Sequence, residues 1–176
     1  MLTEWLQVRP RPQPESYWRY LRYFNLFRLT LAGTFAVAYA LFGAINPFGA
    51  YHPSLFYATS IAYVFLAALM IVPIDIRWPR FNLLLSAQVS ADILFIVLLM
   101  HASGGIQSGL GLFLLGPLVA TGMVSRGRLA MFHAAMASIA LLLEQTYQVL
   151  VLAGSAKDYL QTSLTSMGFF AIAGLA

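Results

Sequence analysis

Apolar residues fall into six long blocks, at about 26–45, 54–72, 82–101, 109–124, 129–152 and 160–176. A helix that crosses a bilayer needs about 20 mainly apolar residues. Five blocks reach or approach that length. The sixth stops at Ala176 with no polar end and no basic flank, so it reads as a truncated span at the front of a longer protein. The fourth is short and holds Gly116 and Pro117, where a kink is expected. The pattern predicts an all-α membrane protein of six transmembrane helices.

Residues 1–15 form a separate tail with prolines at 10, 12 and 14, and residues 16–176 form the membrane domain. The tail carries charge and lacks an apolar core, so it is no signal peptide. Residues 16–28, SYWRYLRYFNLFR, predict a short interfacial helix ahead of the first span, with Ser16 as its N-cap. Arg19 and Arg22 would snorkel to the headgroups while the aromatic rings lie in the interface. The alternative is a docking helix for a partner.

The connections are brief: 46–53 and 73–80 hold prolines, 101–108 holds Gly104 and Gly105, and 125–128 and 154–158 are tight. They leave no room for an external ligand-binding domain. Arginine and lysine set the orientation. Arg9, Arg11, Arg19, Arg22, Arg28, Arg77, Arg80, Arg126 and Arg128 fall on one side by this topology, and Lys157 on the other. The basic side is expected to be cytoplasmic, with Arg19, Arg22, Arg28, Arg77, Arg80, Arg126 and Arg128 as anchors. Six spans then place both ends in the cytoplasm of a bacterial inner-membrane protein, with membrane lipid as its surroundings.

Composition agrees: 60% of residues are hydrophobic and 9% charged, against about a quarter charged in soluble domains. A soluble catalytic domain is excluded. The formal charge of +4 comes from a few arginines rather than a basic patch, so no nucleic-acid partner is expected. The chain has no cysteine, which removes thiolate chemistry. His52 and His101 could share the outer face, but two histidines make a poor metal site. No catalytic, cofactor-binding or metal-binding residues are expected.

Ionisable groups within a span are costly, so each is a functional candidate. Asp92 lies mid-way along the third block and Glu144 in the fifth, at depths expected to differ by less than about two turns. Gln88 shares a face with Asp92, and His133, Glu144 and Gln148 share a stripe. No lysine or arginine is expected deep in a span. The five residues Gln88, Asp92, His133, Glu144 and Gln148 form the candidate polar patch. It reads either as structural hydrogen bonding between helices or as a group that senses something within the membrane. The segment GGIQSGLG, with Gly104, Gly105, Gly109 and Gly111, lacks the Lys-Ser/Thr of a phosphate loop. Its glycines predict a tight turn and close helix packing.

Several stretches resemble the six-span sensor domain of PilS-family histidine kinases, which control type IV pilin expression. These are LRYFNLFRL at 21–29, SADILFIVLL at 90–99, ASGGIQSGLG at 102–111 and SRGRLAMFHAAMASIALLLEQ at 125–145. The resemblance implies a homodimer that senses the pilin subunit in the membrane. It also implies a further cytoplasmic part that uses ATP and Mg and phosphorylates a response regulator. None of His52, His101 or His133 sits in a His-Glu-x-x-Asn setting, so none is expected to be the phosphoacceptor, and this chain needs no cofactor of its own. A small transporter or channel, and a purely structural membrane anchor, are the competing readings.

Overall fold

The computed structural model describes residues 15–43, 48–77, 81–125, 127–151 and 158–174. Arg80, Arg126 and Lys157 lie outside these residues, as does the proline-rich tail up to residue 14. Among the described residues the regular structure is entirely helical. A bilayer offers no water to backbone N–H and C=O groups, and a helix satisfies them internally.

Helix α1 is Glu15–Phe42, α2 Pro53–Leu69, α3 Ile71–Ile76 and α4 Phe81–Ala102; α5 is Leu115–Val124, α6 Gly127–Val151 and α7 Asp158–Gly174. Among the described residues four stretches are long and apolar enough to cross a membrane: Glu15–Phe42, Pro53–Ile76, Phe81–Ala102 and Gly127–Val151. Leu110–Val124 is a shorter apolar segment, and α7 has 17 residues with its first half largely polar.

The expected interfacial helix is not a separate element. Residues 16–28 are the first half of the continuous helix α1, and Ser16 lies inside it rather than capping it. The stretch contains no Pro or Gly to break the helix. Leu21, Asn25, Arg28, Ala32 and Phe35 are its buried stripe, spaced by three or four residues.

Pro53 starts α2 at a position where its missing N–H costs nothing. The second span changes course at Met70, three residues before Pro73. Pro73 cannot donate to the Leu69 carbonyl and its ring crowds that group. Helix α3 then closes at Arg77, the one non-glycine residue with positive φ among those described (φ 58°).

The fourth apolar block differs from expectation. It opens as a 3-10 segment, Leu110–Leu114, joined at Gly109, with φ 74°, to another, Gly105–Ser108, in the connection before it. The α-helical part begins only at Leu115, which places Pro117 in the first turn, where proline is tolerated. The irregularity therefore lies before Gly116 and Pro117 rather than as a kink at them.

Helix α4 is the centre of the bundle. Half of its most apolar window is buried, against 28% in each of the first two spans. Helices α2 and α6, the 3-10 segments and α5 pack around it; α1 lies on α2, and α7 on α6 and α5. Phe81 meets Tyr17 and Trp18 of α1 at one end. At the other end, the backbone N–H groups of Tyr51 and His52 donate to the Ala102 carbonyl. The ends are called here the basic end and the glycine end.

Candidate functional site

The candidate polar residues form three groups rather than one patch. The deepest is built on Asp92, half-way along α4 and fully buried. Arg28 of α1, 1% exposed, brings its Nε within 2.6 Å of Asp92 Oδ1. Tyr63 of α2 donates its hydroxyl to the same oxygen at 2.8 Å. The Arg28 guanidinium carbon lies 5.9 Å from the Phe24 ring centroid and 5.7 Å from that of Tyr63. One acid thus ties three helices together, with aromatic faces around the cation.

This corrects the expectation that Arg28 is a surface anchor and that no arginine lies deep in a span. A long Arg stem can snorkel or turn inward, and an acid in the bundle rewards the inward choice. The sequence did carry a signal: Arg28 falls on the stripe of Leu21, Asn25, Ala32 and Phe35, all buried. Tyr63 was missed as well; it follows Phe56, Thr59 and Ser60 on the buried stripe of α2.

The group is incompletely satisfied. Arg28 Nη1 and Nη2, Asp92 Oδ2 and both amide atoms of Gln88 are buried with no hydrogen-bond partner among the described residues. Gln88 lies one turn from Asp92 on the same face. Asn25, one turn before Arg28, donates from Nδ2 to the Ala67 carbonyl at 2.9 Å, and its Oδ1 is also unpartnered. Buried polar atoms are ordinarily paired, so this concentration marks a place where the packing is held against a cost.

The second group lies at the glycine end. His101 Nδ1 is 3.0 Å from Glu144 Oε2, and Gln148 donates from Nε2 to Glu144 Oε1 at 2.7 Å. His52 stacks on His101 at 5.8 Å and Tyr147 meets its edge at 5.3 Å. His101 follows Asp92 by nine residues on α4 (101 − 92 = 9), a rise of about 13.5 Å. Glu144 therefore meets His101 rather than Asp92, and the two acids do not share a site.

The third group is His133, whose Nε2 is 3.1 Å from Ser86 Oγ. Its Nδ1 lies 2.9 Å from the Leu129 carbonyl. His133 thus links α6 to α4 through the Ser86 hydroxyl, with its other ring nitrogen turned to its own helix.

The four glycines divide by role. Gly104 and Gly105 have positive φ, of 95° and 79°, and make the turn after α4. Gly105 also lies under Gln148, whose Cγ is 3.4 Å from where a Cβ would stand. At Gly111 a Cβ would meet Ile106 Cδ1 at 3.0 Å, which is the close packing expected. Gly109 has open space around that position, so its φ rather than its packing demands glycine.

Arg22 pairs with Asp75 at 2.8 Å and Arg77 with Glu15 at 3.3 Å, both exposed at the basic end. Among the described residues no group of three or more His, Cys, Asp or Glu could hold a metal ion.

These features define a multi-pass, helical membrane domain with a buried ion pair at its centre. The chain belongs to the family described as the PilS-like transmembrane domain, which matches residues 10–176. It is 31% identical over 137 residues to the sensor protein kinase PilS of Pseudomonas aeruginosa. That match covers 76% of this chain but 25% of the kinase, so the chain spans about a quarter of that relative's length. No solved structure matches it.

Proposed function

We propose that this chain is the signal-receiving membrane domain of a sensor histidine kinase that regulates type IV pilin expression. The pilin subunit, held in the membrane by its apolar helix, is the signal in this reading. The observation that supports it most is the Arg28–Asp92–Tyr63 group, which joins three helices yet leaves donors and acceptors unpaired. A helix that docks against the bundle could supply partners to these atoms and so favour a second packing. It can do so only if its affinity differs between the two packings. The short connections fit a signal that arrives within the bilayer.

The whole protein in this reading is a homodimer with both ends of this domain in the cytoplasm. A further cytoplasmic part would bind ATP and Mg and phosphorylate a response regulator. Reporter fusions after Pro47, Gln107 and Ser155 are then expected to score as external, and fusions after Arg80 and Arg126 as cytoplasmic. The reverse at two of these sites overturns the orientation.

The sensing reading is tested in the full-length protein with Asp92→Asn, Glu144→Gln and the pair combined, at matched membrane levels. Pilin-promoter output is followed while pilin is varied. At least one variant carrying Asp92→Asn is expected to lose or lock the response. If all three are folded and respond as the parent does, the buried group is structural and the reading fails.

A further inference from the structure

Two adjoining clefts open at the basic end, between the first half of α1 and α3. The larger of the two, of about 440 Å³, is lined by Arg22, Tyr23, Asn25, Leu26, Leu29, Ile71, Ile74 and Asp75. The smaller, of about 270 Å³, shares Arg22 and Ile74 with it and adds Arg19, Arg77, Glu15 and Trp18. Polarity is ordered along the helix axis. From Arg22 to Leu29 the wall of α1 runs inward by about 10 Å, from charge to hydrocarbon. Asp75 pairs with Arg22, and Ile71 lies one turn inward on α3. Such a site has a charged mouth and an apolar throat, matching a phospholipid in outline.

The charges select the head. Arg19, Arg22 and Arg77 face Glu15 and Asp75, a balance of three positive against two negative (3 − 2 = +1). Arg22 and Asp75 are 70% and 52% exposed, and a pair so exposed contributes little to stability. Arg22 can therefore turn to a phosphate at small cost, and guanidinium groups bind phosphate in a charge-assisted, forked geometry.

We propose that this double cleft is a binding site for an anionic membrane phospholipid. The phosphate lies against Arg19 and Arg22, and an acyl chain lies along Leu26, Leu29 and Ile71. Asn25, in the cleft wall, is one turn from Arg28 and links α1 to α2 through the Ala67 carbonyl. Lipid occupancy therefore bears on the same turn of α1 that holds the buried ion pair. The proposal stands independently of the sensing reading.

The test uses the full-length protein in phosphatidylcholine nanodiscs with increasing phosphatidylglycerol, followed by lipid retention in native mass spectrometry. Phosphatidylglycerol is expected to be retained over phosphatidylcholine. Arg22→Gln and Arg19→Gln are each expected to weaken retention about fivefold. Arg128→Gln, at the same end but outside both clefts, removes equal charge and is expected to leave retention near the parent. Leu29→Trp fills the apolar throat without touching charge and is expected to reduce retention as well. Equal loss with Arg128→Gln would mean diffuse attraction to the membrane surface and overturns the site. Competition by inorganic phosphate together with indifference to Leu29→Trp would mean a free-anion site, which also overturns it.

Discussion

Asp92 and Glu144 are the two acids buried in the bundle, and the fold treats them differently. Asp92 meets a permanent cation and a tyrosine from two other helices, and all three side chains are sealed from solvent. Glu144 meets a histidine from one other helix and a glutamine one turn along its own. His101 is 19% exposed, in the last turn of α4 beside the connecting segments. The deep group thus ties three helices together out of solvent, whereas the group at the glycine end ties two.

Breaking the deep pair gives the largest expected effect. Arg28→Met leaves Asp92 buried without its cation, and removing one partner of such a pair costs about 3–5 kcal/mol. Unfolding in graded SDS measures it. The double variant Arg28→Met with Asp92→Leu is expected to recover part of that loss, because it removes both charges together. A single variant as stable as the parent would mean that the pair carries no structural weight.

The glycine end should respond less, and through packing. Gly111→Leu forces a side chain against Ile106, Met100 and Leu141. Overpacking of this kind costs about 1–3 kcal/mol. Gly109→Ala has free space but the wrong φ, at about 1–2 kcal/mol; Gly109→Asn, which tolerates that φ better, is expected to cost less. Identical losses for alanine and asparagine would argue against φ as the reason.

The smallest effect is expected for the link itself. His101→Gln keeps a polar side chain beside Glu144, and Gln148→Leu removes a single hydrogen bond. Polar contacts between helices in membranes average about 0.6 kcal/mol, with a maximum near 1.7. An SDS-unfolding loss for His101→Gln as large as that for Arg28→Met would erase the distinction between the two regions.

Much of this was legible beforehand. Block length and the scarcity of charge gave the class, and the cost of an intramembrane acid singled out Asp92 and Glu144. GGIQSGLG marked a turn with close packing, which holds at Gly104, Gly105 and Gly111. Treating Gln88, Asp92, His133, Glu144 and Gln148 as one patch failed. Helical periodicity reports the face a residue occupies, but not which helix faces it or at what height.

The amino-acid sequence by itself determined a helical, multi-pass membrane domain, because only helices or closed barrels satisfy the backbone in lipid and the apolar blocks have helical length. It also determined the family, through segments that span most of the chain. Only the tertiary structure decided what each polar group meets. Arg28 could have reached the headgroups or the core, since its stem is long enough for both. Tyr63 is one aromatic among many in the second span until α4 brings Asp92 within 2.8 Å of it. Burial and partner choice arise from contacts between residues far apart in the chain, and local pattern carries no record of those distances.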